Sequence, residues 1–104
     1  MKAQVFATPE AEQQILEVSA WWHAKRPSAE GQFDRELSDT LNLLGEAPDI
    51  GRRYRRVRIP GLRRILLKKS RYHVYYVHDE KQQAVIVLAV WSAVRRRGPS
   101  LRKR

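Results

Sequence analysis

The chain has 104 residues and a mass of 12.2 kDa, enough for one hydrophobic core, so a single domain spanning residues 1–104 is expected. Apolar residues make up 42% and charged residues 31%, which excludes a wholly disordered chain, and the apolar run Val85 to Trp91 is too short to span a bilayer. The net charge is +10, unevenly spread: residues 1–50 carry four basic and nine acidic side chains, whereas residues 51–104 carry 17 basic and two acidic, a half of charge +15.

Lys2 to Phe6 is a short strand candidate. Thr8-Pro9-Glu10 reads as a helix start, with Thr8 as cap, Pro9 where its missing N–H costs nothing, and Glu10 and Glu12 at the positive end of the dipole. Ala11, Ile15, Val18 and Trp22 form one apolar face, and Lys25, Arg26 and Pro27 close the helix. Ser28 is the expected cap of a second helix, striped by Phe33, Leu37, Leu41 and Leu44 and ended by Pro48. Helices near 9–26 and 29–46 joined this closely form an αα-hairpin. Asp34, Arg35, Glu36 and Asp39 read as outer-face positions without function.

After the turn Pro48-Asp49-Ile50-Gly51 the period becomes strand-like. Tyr54 to Ile59 is read as a charged edge strand, and Pro60-Gly61 as a turn. Leu62 to Lys69 and Arg71 to His78 are two strands separated by little more than Ser70. Asp79 to Gln83 is a hairpin loop, and Ala84 to Trp91 an apolar strand inside the sheet. Ala93 to Arg104 is a basic tail, loosely ordered in the absence of a partner, with its most basic part at about 96–104. The fold class is therefore α+β: an N-terminal strand and an αα-hairpin packed on a mostly antiparallel four- to five-stranded sheet.

No cysteine is present, which excludes disulfides and thiolate–metal sites, and the five glycines follow no nucleotide-binding pattern. His23, His73 and His78 lack metal-ligand spacing, so neither a metal nor another cofactor is expected. No basic-then-apolar leader precedes Pro9, so a cytoplasmic location without membrane association is expected. Arginine supplies 15 of the 21 basic residues, and its planar fork suits phosphate and carboxylate. Strand alternation puts Arg63 with Ile65 and Leu67, and Arg64 with Leu66 and Lys68. It puts Tyr72, Val74 and Tyr76 on one face of the next strand, and Arg71, His73 and Tyr75 on the other. With one sheet face packed on helices, the other is expected to present a cationic surface bearing aromatic rings.

Several segments resemble the RelE/ParE superfamily of bacterial type II toxin–antitoxin toxins, over nearly the whole chain. They are the first strand and αα-hairpin, the Pro48 to Gly51 turn, Ile59-Pro60-Gly61-Leu62-Arg63, Arg71-Tyr72-His73-Val74-Tyr75-Tyr76, and Val87 to Ser92 followed by Ala93-Val94-Arg95. The resemblance implies a toxin held inactive by a cognate acidic antitoxin in a hetero-oligomer, touching operator DNA only through that complex, in a plasmid-stabilization type of module. It also implies one of two mechanisms. RelE-like members cut messenger RNA on the ribosome, for which Arg63, His73, Tyr76 and Arg95 would be the catalytic set here. ParE-like members inhibit DNA gyrase and are not known as nucleases.

Ser92 occupies a position that is often histidine in the superfamily, and no tyrosine or histidine follows it. An arginine charged at neutral pH is a poor proton shuttle, so the ParE-like, non-enzymatic reading is preferred, with no catalytic residue. Arg63, Arg64, Lys68, Arg71, Arg95, Arg96 and Arg97 are then the expected target- or phosphate-binding residues. The alternatives are the ribosome-dependent endoribonuclease, acting on ribosome and messenger RNA, and a non-toxic nucleic-acid-binding module.

Overall fold

Thr8 is extended and its hydroxyl accepts from the Ala11 amide at 3.1 Å, which starts α1 (Pro9–Lys25) as expected. Pro9 fills the first turn, and Glu10, Glu12 and Lys25 complement the dipole at the two ends. In this computed structural model residues 2–29 and 31–101 are described. The end of the basic tail, 102–104, lies outside them. No described helix is long and apolar enough to cross a membrane.

The start of α2 (Gln32–Glu46) differs from expectation. Ser28 caps nothing there; it lies in a 3-10 turn, Pro27–Ala29, and the cap position is Gly31 at φ 80° with no side-chain hydrogen bond. The chain turns sharply between the helices, and a glycine enters the left-handed region without the Cβ penalty. Ala11 and Trp22 of α1 and Phe33, Leu37 and Leu44 of α2 are buried, while Ile15, Val18 and Leu41 pack beside them.

The sheet consists of β1 (Gln4–Ala7), β2 (Arg52–Arg53), β3 (Arg63–Leu67), β4 (Tyr72–Asp79) and β5 (Ala84–Ser92), in the order β1-β5-β4-β3-β2. β1 runs parallel to β5 and the remaining pairs are antiparallel, so the sheet is mixed. Tyr54 to Ile59 is not a strand: pairing stops at Arg53, and the chain leaves the edge as a loop that returns through a Tyr54 amide to Leu62 carbonyl bond of 2.9 Å. The loop leaves the sheet because Ile59 and Leu62 are buried over its second face. Arg71 also lies outside its expected strand, at φ 68° in the turn Lys68 to Arg71. Its backbone closes that turn by an amide bond of 2.8 Å to the Leu67 carbonyl.

A bulge in β5 decides which side chains meet. Tyr75 lies opposite Ala89 and Tyr76 opposite Val87, leaving Leu88 as the extra residue. Val85, Val87 and Val90 therefore all pack on the helix side, whereas Leu88, Ala89 and Trp91 join the other face. That other face is not the open cationic surface expected from alternation. It carries a second apolar core of Ile59, Leu62, Tyr75, Leu88 and Ala89, flanked by Tyr54, Val57, Trp91 and Leu101. The segment after β5 is likewise packed rather than loose as far as it is described. The Trp91 indole donates to the Arg97 carbonyl at 2.7 Å, Pro99 is buried, and Leu101 packs against the second core.

Glu36 is not an idle outer-face residue. Its carboxylate accepts the Ser70 hydroxyl at 2.6 Å and the Lys69 and Ser70 amides at 2.8 and 2.9 Å, tying α2 to the β3–β4 turn. Burial acts to raise its pKa, but the Ser70 and backbone hydrogen bonds and the Lys69 charge outweigh this and hold it below the ordinary value.

Candidate functional site

The loop after β2, the middle of β4 and the segment after β5 enclose a cleft of about 200 Å³. Its basic lining comes from Arg56, Arg64, Arg95, Arg96 and Arg97, and no described carboxylate lines it. Two of the guanidiniums are seated on rings. Arg64 lies 4.9 Å from the Tyr54 ring centroid and donates to the Tyr75 hydroxyl at 3.3 Å, and Arg95 lies 4.7 Å from the Trp91 ring. Stacking fixes each plane and leaves N–H edges for a ligand.

His73 and Ser92 also line this cleft. The His73 ring meets the Tyr75 ring edge-on at 6.0 Å. Burial, then the charges of Arg64 and Arg71, hold its pKa below the ordinary 6.5, so the imidazole is neutral at pH 7. Ser92 Oγ accepts from the Val94 amide at 3.3 Å.

Arg64, Arg95, Arg96, Arg97 and His73 are thus brought together as the sequence suggests, and Arg63, Tyr76, Lys68 and Arg71 are not. Arg63 lies across the β3–β4 pair from Tyr76, whose side chain is in the helix-side core. Its guanidinium donates to the Asp49 and Gly51 carbonyls at 3.0 and 2.7 Å. The fully buried Tyr76 hydroxyl donates to the Pro48 carbonyl at 2.7 Å and accepts the Gly51 amide at 2.9 Å. Both side chains therefore hold the Pro48 to Gly51 turn. Lys68 lines a neighbouring depression with Arg52 and His73, and Arg71 stands outside the cleft although its charge acts on His73.

Sequence reasoning misses Arg56, Tyr54 and Trp91 as members of the site. The run Arg52-Arg53-Tyr54-Arg55-Arg56 is visible, but as an edge strand it would lie beside Arg63 instead of crossing the second face. Trp91 reaches the cleft face only through the bulge. Among the described residues no group of three or more histidine or carboxylate side chains is placed to hold a metal ion.

A second concavity, of about 740 Å³, lies between β1 and α2 and has a different character. Phe6, Leu37 and Leu41 give it apolar walls, and it contains no cluster of convergent charge comparable to the cleft.

Several solved structures are similar to this chain, among them the following three. A chain of the chromosomal ParDE toxin–antitoxin system of P. aeruginosa superposes with a TM-score of 0.69 at 12% identity, over 88% of this chain and 96% of that one. A double arginine-to-alanine mutant of the E. coli toxin RelE in its free state gives 0.59 at 22% identity, over 90% and 86% of the two chains. A chain of the RelBE2 toxin–antitoxin complex of Mycobacterium tuberculosis gives 0.60 at 18% identity, over 88% and 99%. At these identities they establish the shared α+β fold. No curated protein sequence matches the chain significantly. The family model for the ParE toxin of the type II toxin–antitoxin system parDE matches residues 5–97, and the chain belongs to that family of toxins.

Proposed function

We propose that this toxin acts by inhibiting DNA gyrase, not by cutting RNA, and that a cognate acidic antitoxin neutralises it. One observation carries the non-nuclease reading. Of the four residues an endoribonuclease would need, Arg63 and Tyr76 are committed to holding the Pro48 to Gly51 turn, so only His73 and Arg95 share the cleft. Arginine binds phosphate but moves no proton at neutral pH. Ser92 supplies no group of useful pKa to protonate a leaving oxygen. The match to the ParE toxin model favours the ParE-like side of the superfamily, and gyrase is the target which that resemblance implies.

The antitoxin is the expected partner because the β1 edge and the β1–α2 groove offer an apolar seat. β1 pairs only with β5 among the described strands, and its own Phe6 is 52% exposed. A segment with apolar anchors and carboxylates would cover this groove and offset the positive half. Operator DNA would be reached through that complex.

The second reading, a ribosome-dependent endoribonuclease, draws on His73. A neutral imidazole in a cationic cleft is a competent general base for a 2′-hydroxyl. Expressing the toxin alone and assaying both supercoiling by purified gyrase and cleavage of ribosome-bound messenger separates the two. The expected result is blocked supercoiling and intact messenger, weakened by Arg95→Ala and unaffected by His73→Ala. Codon-specific cleavage abolished by His73→Ala, with gyrase untouched, would establish the nuclease instead.

A further inference from the structure

The two outer strands of the sheet differ in how they meet solvent. β2 is Arg52–Arg53, both exposed and set opposite Arg64 and Arg63. Charge of one sign along an edge keeps a further strand of the same kind away. β1 is Gln4-Val5-Phe6-Ala7, with no charge and no proline. The Gln4 amide donates to the Gln83 carbonyl and the Thr8 amide to the Val87 carbonyl, each at 3.0 Å. Alternation therefore turns the amides and carbonyls of Val5 and Ala7 away from β5. Ala3 faces the same way, but its amide is spent on the Gly45 carbonyl at 2.8 Å. Among the described residues nothing bonds the outward groups of Val5 and Ala7.

The groove beside this edge is nearly neutral. Lys2 is its cation and is offset by Glu46 at 3.5 Å, and its carboxylate, Asp34, contacts His23 at 3.2 Å. A chain of net charge +10 repels its own copies, so any self-association needs a surface free of that charge. We propose that the toxin, when free, forms a two-fold dimer in which β1 pairs antiparallel with β1 of a second copy, centred on Phe6. The free groups set the register. Val5 lies opposite the partner's Ala7 and Ala7 opposite the partner's Val5, so each outward amide has a carbonyl facing it. Phe6 then meets the partner's Phe6 at the non-hydrogen-bonded position, where Cα atoms stand about 4.5 Å apart. Each ring, 52% exposed in the single chain, gains an aromatic cross-strand neighbour. The contact uses the same surface on both copies, so it closes at two. With antitoxin bound, this edge would be covered, so the pairing belongs to the free chain. The inference rests on β1 and not on the gyrase or antitoxin reading, and its test contains neither protein.

Sedimentation velocity of the full chain, over about 1 to 200 μM, should show a monomer–dimer equilibrium with a dissociation constant of about 10–100 μM, as fits a small interface. Raising salt from about 50 to 500 mM should tighten it about threefold to tenfold, because screening removes the repulsion between copies and the contact has no ion pair to lose. Phe6→Lys should weaken it more than tenfold by setting two cations face to face. Ala7→Pro, which removes an outward amide and spares the β1–β5 bonds, should do the same. Leu16→Lys, at a 65% exposed position on α1, adds the same charge elsewhere and should change it less than twofold. The chain has no cysteine, so Phe6→Cys reports the register directly. With oxidised glutathione it should form a disulfide-linked dimer, since the facing Cα atoms lie in disulfide range. Gln4→Cys, roughly 13 Å from the partner's Gln4 in this register, should link at least tenfold more slowly. A chain that stays monomeric at the highest concentration and salt leaves the edge to other partners and overturns the proposal. Affinity that falls with salt, or equal cross-linking of the two cysteine variants, overturns it as well.

Discussion

Replacing Tyr76 by phenylalanine deletes one oxygen and tests what that side chain is for. Its hydroxyl bridges the Pro48 carbonyl at 2.7 Å and the Gly51 amide at 2.9 Å. The turn packs closely on this ring: a Cβ at Gly51 would lie 2.6 Å from the Tyr76 oxygen and 3.0 Å from the Arg64 carbonyl. Without the hydroxyl, the buried Gly51 N–H loses its acceptor, which costs about 1–3 kcal/mol, while the less buried Pro48 carbonyl can turn to water. For a domain of this size the melting temperature should fall about 4–8 °C per kcal/mol. Urea unfolding followed by circular dichroism should show a lower midpoint at unchanged slope.

The same substitution has a pH signature. Burial raises the Tyr76 pKa above its ordinary 10.0, opposed by the Gly51 amide bond and the Arg63 charge. The folded state therefore favours the neutral phenol. Its contribution is complete below pH 10 and is lost as pH rises through the folded value, and Tyr76→Phe should remove that alkaline loss. Toxicity per folded molecule should stay unchanged. A variant as stable as the parent, or one fully stable yet inactive, would refute the structural role and return Tyr76 to the catalytic set.

Two further outcomes are expected. Glu36→Gln should destabilise the fold by about 1–2 kcal/mol, because a charged acceptor of three hydrogen bonds is weakened at a partly exposed site. Since the folded pKa of Glu36 is lowered, its contribution is present above pH 4.5 and lost as pH falls through the folded value, so parent and variant should converge in acid unfolding curves. Leu44→Ala should cost about 2–5 kcal/mol in urea unfolding, whereas Leu43→Ala, one position away and 48% exposed, should stay within about 0.5 kcal/mol. Equal effects would mean that the α2 stripe is misplaced.

Local chemistry was legible wherever one turn or one strand supplied its own pattern. Thr8 and Pro9 start α1 because capping involves only the neighbouring amides, and the stripes Ala11 to Trp22 and Phe33 to Leu44 face the sheet because helical spacing is intrinsic to the backbone. The arginine-rich half was equally visible, since charge is counted without coordinates. What the sequence could not decide were relations between segments distant along the chain. Strand alternation predicts a face only while pairing stays in register, and the extra residue at Leu88 turns Trp91 towards the cleft. Glu36 resembles any exposed helical carboxylate until the fold brings Ser70 to it, 34 residues away. Arg63 and Arg64 are neighbours of identical chemistry, yet the pleat sends one to the carbonyls of the Pro48 to Gly51 turn and the other to Tyr54 and Tyr75. The sequence determined the two helices, the strands of the sheet's interior and the sign of the charge. Tertiary packing decided which arginines were left to meet a ligand, because only the fold assigns partners across the chain.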